Sequence, residues 1–209
     1  MQSSCEIHAI WGPEVTHSTL KELLSELPSS VLRPRIGEAK THYGEHRSQP
    51  MLTWWQHGPV DEVLKIVSKL SIPPIRLKVE ATPSSLKDDF TLVDPDHYWE
   101  FHAKIFGASD DQAWRQAAQV CAPMGAHLFW NGCKEVPVPI IALRRYQCSK
   151  AEAYEQMAQL ETALQEAGFT LSERHSEWGL LDSNPELDRG WLYRSGSDKT
   201  DFLREVPSY

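Results

Sequence analysis

Cys5-Glu6-Ile7-His8-Ala9 lies near the start of the chain, and Trp99-Glu100-Phe101-His102-Ala103 repeats its order of acidic residue, apolar residue, His and Ala. His102 follows His8 by 94 residues. Strand geometry places alternate side chains on opposite faces, so Ile7 and Ala9 share one side of a first strand and Glu6 and His8 the other. In the second copy Phe101 and Ala103 oppose Glu100 and His102. The helices that follow keep the offset, with Leu20, Leu23, Leu24 and Leu27 matching Trp114, Ala117, Ala118 and Cys121. A β-α unit therefore reads as present twice.

Around these segments the first half predicts a strand over 4–11 and a helix over 19–27 opened by Thr19 and Glu22 as a capping box. A short strand at 31–36 leads into a long loop. Strands at 51–57 and 74–80 then flank a helix at 60–70, and Trp54-Trp55 puts one ring on each side of its strand. The second half predicts a strand at 98–106, a helix capped by Ser109, and strands at 125–131 and 136–146. Ser149-Lys150-Ala151-Glu152 opens a long helix that Gly168 ends, and a strand at 169–178 follows. The fold expected is α+β, two tandem ferredoxin-like (βαββαβ) lobes related by pseudo-twofold symmetry, with antiparallel sheets. Residues 1–82 form the first lobe, 83–97 a linker, 98–180 the second lobe and 181–209 a polar C-terminal tail. Within that tail, the oxygen-rich run Asp182 to Trp191 reads as a turn-rich segment that folds over the groove with Trp191 as anchor.

One helix layer per sheet leaves each sheet with a free face. Alternation assigns to those faces Glu6, His8, Arg76, Lys78, Glu80, Glu100, His102, Lys104 and Arg174. They form either a solvated sheet surface or, if the faces meet, a polar cleft between the lobes. In a cleft, His8 and His102 are the acid–base candidates and Glu6 and Glu100 their orienting carboxylates, since a carboxylate fixes the tautomer and stabilises the imidazolium. Lys78, Lys104, Arg144, His127 and Asn131 are the candidate ligand-binding residues, with Arg144 suited to clamping a carboxylate or phosphate. The function read from this is a cytoplasmic enzyme or binding protein for a small anionic ligand, bearing phosphate or carboxylate, with no cofactor predicted and a divalent metal possible.

Composition narrows the classes. A formal net charge of −8 with no Lys/Arg run argues against a nucleic-acid groove, whose affinity rests on neutralising phosphates. No apolar stretch has the length needed to cross a bilayer, and the first residues lack the basic and apolar regions of a signal peptide. Cys5, Cys121, Cys133 and Cys148 have no metal or disulfide-framework spacing, which fits reduced thiols in the cytoplasm. Oligomeric state is not readable from these features.

Two resemblances bear on chemistry. The strand-then-helix rhythm of Met51-Leu52-Thr53-Trp54-Trp55-Gln56-His57-Gly58 resembles the two-histidine phosphoesterases, which carry His-x-Thr on such a strand in each lobe. Here Met51 stands at the first His, and Ile140 and Ala142 stand at the second His and Thr, so the resemblance implies layout and not that hydrolysis. His8 together with Thr41-His42-Tyr43-Gly44-Glu45-His46-Arg47 resembles the small ferredoxin-like DOPA dioxygenase family. That resemblance implies a mononuclear Fe or Zn site on His8, His42 and His46, although the family's His-x-His on the first strand is absent. A third class is a non-catalytic protein-interaction module that docks through exposed tryptophans and the tail.

Overall fold

The computed structural model describes residues 4–41, 46–86, 89–92, 94–108 and 110–188. Strand β1 (Ser4–Ile10), helix α1 (His17–Glu26), β2 (Leu32–Lys40), β3 (Ser48–His57), α2 (Val60–Val67) and β4 (Arg76–Ala81) come first. They are followed by β5 (Tyr98–Phe106), α3 (Asp111–Cys121), β6 (Ala126–Asn131), β7 (Pro139–Tyr146), α4 (Lys150–Glu166) and β8 (Thr170–Asp182). The eight strands close into one antiparallel barrel in the order β1-β3-β2-β6-β7-β5-β8-β4.

This closure overturns the expected pair of ferredoxin-like lobes with open sheets, and with it the reading of the chain as an internal duplication with a cleft between two copies. The cause lies in two strands that run past their expected ends. β2 continues to Lys40, where Ala39 and Lys40 pair with Asn131 and Trp130 of β6. β8 continues to Asp182, and Lys78, Val79, Glu80 and Ala81 pair with Asp182, Leu181, Gly179 and Trp178. Both seams use residues that the sequence assigned to a loop or to the tail. An unpaired sheet edge leaves backbone donors and acceptors open, and closure removes every edge.

The apolar faces turn outward beneath the helices. Ile7, Ala9, Leu52, Trp54, Leu77 and Val79 pack with Leu20 and Leu23 of α1 and Val63 of α2. On the other half Trp99, Phe101, Ile105, Leu128 and Ile141 pack with Trp114 and Ala117 of α3 and Leu160 and Leu164 of α4. Burying a Leu or Trp side chain in such a layer contributes about 1.5–3 kcal/mol, so these two layers are where the fold's stability resides. The alternate side chains must then face the barrel interior, which is where the charged residues go.

The caps follow local chemistry, with two changes from expectation. Ser149 and Glu152 form the full capping box. At α1 the cap is Thr16, whose Oγ1 accepts from the Thr19 amide at 3.2 Å, so Thr19 is the recipient and not the cap. At α3 Asp110 caps through Ala113 N, and Ser109 lies outside the described residues.

Candidate functional site

The barrel encloses a cavity of about 350 Å³. An eight-stranded barrel has an interior just wide enough to be filled by side chains or to hold one small ligand. Four of the expected site residues, Glu6, His8, Glu100 and His102, line this cavity. So do Lys78, Lys104, His127 and Arg144. The polar faces therefore meet in one chamber, as the cleft alternative requires, although a closed barrel and not a pair of lobes brings them together.

Asn131 is not among the lining residues. It sits in the β2–β6 seam, where its Oδ1 accepts from the Cys133 amide at 2.9 Å. Arg174 lies on the outside, paired with Glu161. The parity change has a local cause in β8. Lys104 pairs with Ser172 and His102 with His175, so β8 carries one more residue than β5 between these points. Glu173 takes positive φ at this bulge, and the residues beyond it exchange faces. Glu173, His175 and Glu177 thereby point into the cavity in place of Arg174.

A connected set of charges crosses the interior. His8 Nδ1 hydrogen-bonds Thr53 Oγ1 at 3.0 Å, and its Nε2 lies 3.0 Å from Glu80 Oε2. Lys78 Nζ joins Glu80 and Glu100, at 2.7 Å from each. Arg144 donates to Glu100 Oε1 at 2.8 Å and approaches Asp188 at 3.1 Å. Arg76 closes the far end by donating to both Asp182 and Asp188 at 2.6–2.8 Å. Tyr98 stacks under Arg144, with 4.1 Å from ring centroid to Cζ, and donates its hydroxyl proton to Asp182 at 3.1 Å.

These contacts set the protonation states. Burial by itself would raise the Glu100 carboxyl, but Arg144 and Lys78 outweigh it and hold the group at about 2. Burial is likewise outweighed at Glu80, by Lys78 and then His8, and at Asp188, by Arg76 and Arg144, so both stay below the usual carboxylate range. Glu177 goes the other way. Burial and then the neighbouring Glu80 push its carboxyl well above the ordinary value. Burial also lowers His102, against a partial opposing pull from Glu100, and it lowers His127 to about 3.

His102 differs from His8 in its contacts. Its Nε2 stands 3.7 Å from Glu177 and 3.9 Å from Glu100, both beyond hydrogen-bond length, and its Nδ1 has no hydrogen-bond partner among the described residues. The ring rests edge-on against Phe129. The expected orienting pairs also change. Glu6 is held by Arg35 at 2.6 Å, so Glu80 and not Glu6 holds His8.

Sequence reasoning missed Glu177, His175, Asp182 and Asp188. The first two were hidden by the bulge. Asp182 and Asp188 belong to the run taken as a turn-rich tail, yet the turn at Pro185–Asp188 is built into the barrel end, with Gln49 donating to Asp188 Oδ1 at 3.1 Å. Trp191 lies outside the described residues. The sequence signal for this segment was its density of carboxylates opposite the unmatched cations Arg76 and Arg144.

For the metal alternative, His42 lies outside the described residues, and His46 does not line the cavity. Among the described residues no group of three or more His, Cys, Asp or Glu is arranged to hold a metal ion. Among the described residues the tryptophans are buried or half-buried, and the tail beyond Asp188 that the interaction-module reading also invoked lies outside them. No helix is long and apolar enough to cross a membrane among the described residues.

No family model matches the chain. No curated protein matches it either. Solved structures that match weakly include one described as an anthrone oxidase-like protein, 12% identical, with 86% of this chain and 91% of that chain covered and a TM-score of 0.27. A likeness that low bears on neither the architecture nor the chemistry.

Proposed function

We propose that the barrel interior is the active centre of an enzyme that acts on a small molecule by His/Glu acid–base chemistry. The observation that carries this reading is His102, a cavity-lining imidazole whose Nε2 stands beside two carboxylates and is hydrogen-bonded to neither. Buried polar groups are ordinarily bonded, and unmet capacity inside a cavity is what a substrate group would complete. The wall offers Ile10, Met51, Phe129 and Ile140 to an apolar body beside this polar floor. Four free thiols, Cys5, Cys121, Cys133 and Cys148, are consistent with a reducing, cytoplasmic setting.

A phosphate- or carboxylate-bearing ligand is the second reading, and Arg35 favours it. Its side chain is 63% exposed, lines the cavity, and is held by Glu6. Deeper in, Arg76, Lys78 and Arg144 are each already matched to carboxylates, so an anion there would have to displace one.

Thermal-shift screening against ketones, phenols, carboxylates and phosphates tests the reading. A compound that stabilises the native protein and fails to stabilise His102→Gln supports it, and its class separates the two ligand readings. If every stabilising compound acts equally on the variant, the barrel interior is not the site.

A further inference from the structure

We propose that Glu177 is the proton donor of this centre, paired with His102 as the base, and that the reaction they perform is the tautomerisation of a neutral carbonyl compound with an acidic neighbouring C–H. This rests on the acid–base reading of the cavity given above. It also replaces Glu100, the carboxylate that the first-strand pattern singled out.

The assignment follows from the company each carboxylate keeps. Glu100 is bound by Lys78 and Arg144 at 2.7 and 2.8 Å, an arrangement that fixes it as an anion and leaves it no proton to give. Glu6, Glu80, Asp182 and Asp188 each have a Lys or Arg partner as well. Glu177 lines the same cavity, yet its one ion-pair contact among the described residues is His102 at 3.7 Å. The groups that face it are Glu6 from β1, Lys78 and Glu80 from β4, and Glu100 and His102 from β5. Three of these are carboxylates, which favour the protonated form of a fourth. Two adjacent groups whose surroundings drive their protonation apart make an acid and a base ready at the same pH.

The steps balance without an oxidant, reductant or co-reactant. His102 takes the proton from the carbon next to the carbonyl, and the C–H electron pair becomes the C=C bond. The carbonyl π pair moves onto oxygen, which takes the carboxyl proton of Glu177. An imidazolium and a carboxylate then lie side by side, and transfer of the imidazolium proton to Glu177 restores both groups. The substrate arrives neutral because the interior cations are already occupied, and its apolar part rests on Met51, Phe129 and Ile140.

The test uses the full chain with 2-tetralone as probe, a neutral ketone with acidic C–H bonds beside its carbonyl. Proton NMR in D2O follows loss of those hydrogens, while the imidazole resonance of His102 reports binding. The expected result is exchange faster than buffer with the native protein. Glu177→Gln slows it about 100-fold and changes the pH profile while the His102 resonance still shifts, and His102→Gln abolishes it. Infrared spectra supply a readout free of the probe: a protonated-carboxyl band at neutral pH that Glu177→Gln removes and Glu100→Gln retains. Binding without exchange, or exchange untouched by Glu177→Gln, overturns the donor assignment and leaves the site intact. Neither binding nor exchange removes the proposal and counts against the acid–base reading beneath it, while absence of the infrared band alone refutes the protonated Glu177.

Discussion

His8 and His102 face the same cavity in opposite conditions: His8 is engaged at both ring nitrogens, by Thr53 and Glu80, and His102 is hydrogen-bonded at neither. The same five-residue pattern thus yields one imidazole that braces the barrel and one that is available for chemistry. His8→Ala should cost about 1–3 kcal/mol, because it strands Glu80 Oε2 and Thr53 in a buried setting. His102→Gln should cost less than about 1 kcal/mol, since it breaks no hydrogen bond. Urea unfolding of the two variants checks the order, and equal losses would mean that His102 is structural too.

Acid should weaken the protein through Glu100. Its folded value of about 2 lies below the ordinary 4.5, so the native state binds fewer protons than the unfolded chain as pH falls. Its contribution, on the order of 3 kcal/mol, is present above about pH 4.5 and is lost progressively down to about pH 2. Melting temperatures recorded over that interval should fall more steeply for the native protein than for Glu100→Gln, which has already lost the contribution.

Glu177 acts with the opposite sign. Its carboxyl is raised when folded, so it contributes stability below the ordinary carboxylate range and loses it as pH rises toward its elevated value. Glu177→Gln, an uncharged mimic of the protonated acid, should flatten that decline and leave the protein at least as stable at neutral pH. Thermal melts from pH 5 to pH 8 check this. A clear destabilisation by Gln at pH 7 would mean that the carboxylate form is the native one.

Arg76 holds two aspartates at the closed end of the barrel, with its own side chain 1% exposed. Arg76→Met should cost about 3–5 kcal/mol by leaving Asp182 and Asp188 as uncompensated buried charges. The double change to Met with Asn at 188 should recover part of that loss. A double-mutant comparison by chemical denaturation measures the recovery.

Gly179 lies against the ring of Tyr98, where an added Cβ would stand 2.7 Å from two ring carbons. Gly179→Ala must push Tyr98 away from both Asp182 and the Arg144 guanidinium. The expected cost is about 1–3 kcal/mol, an overpacking effect. Tyr98→Phe keeps the ring and should cost less, and equilibrium unfolding of both variants separates the two.

Much of the interior was legible because it depends on parity alone. Once Ile7, Ala9, Leu77 and Val79 were read as helix-facing, Glu6, His8 and Lys78 had to face the other way, and they line the cavity. Glu177 was not legible, because one extra residue at the β8 bulge reverses the alternation and nothing in the local letters Ser172-Glu173-Arg174 marks it. Nor was the role of Glu6 legible. Glu6 precedes His8 on the same face, yet its partner Arg35 comes from β2, brought alongside only by sheet pairing.

Local chemistry therefore set the elements, their caps and the inward or outward sense of most strand residues, since each depends on neighbours a few positions apart. Closure of the sheet, the parity of β8 and the matching of carboxylates to cations were decided by contacts between residues as distant as Arg76 and Asp188. Such contacts obey the geometry of the assembled barrel, where a strand that continues four residues further, as β2 and β8 do, can turn an open edge into a seam.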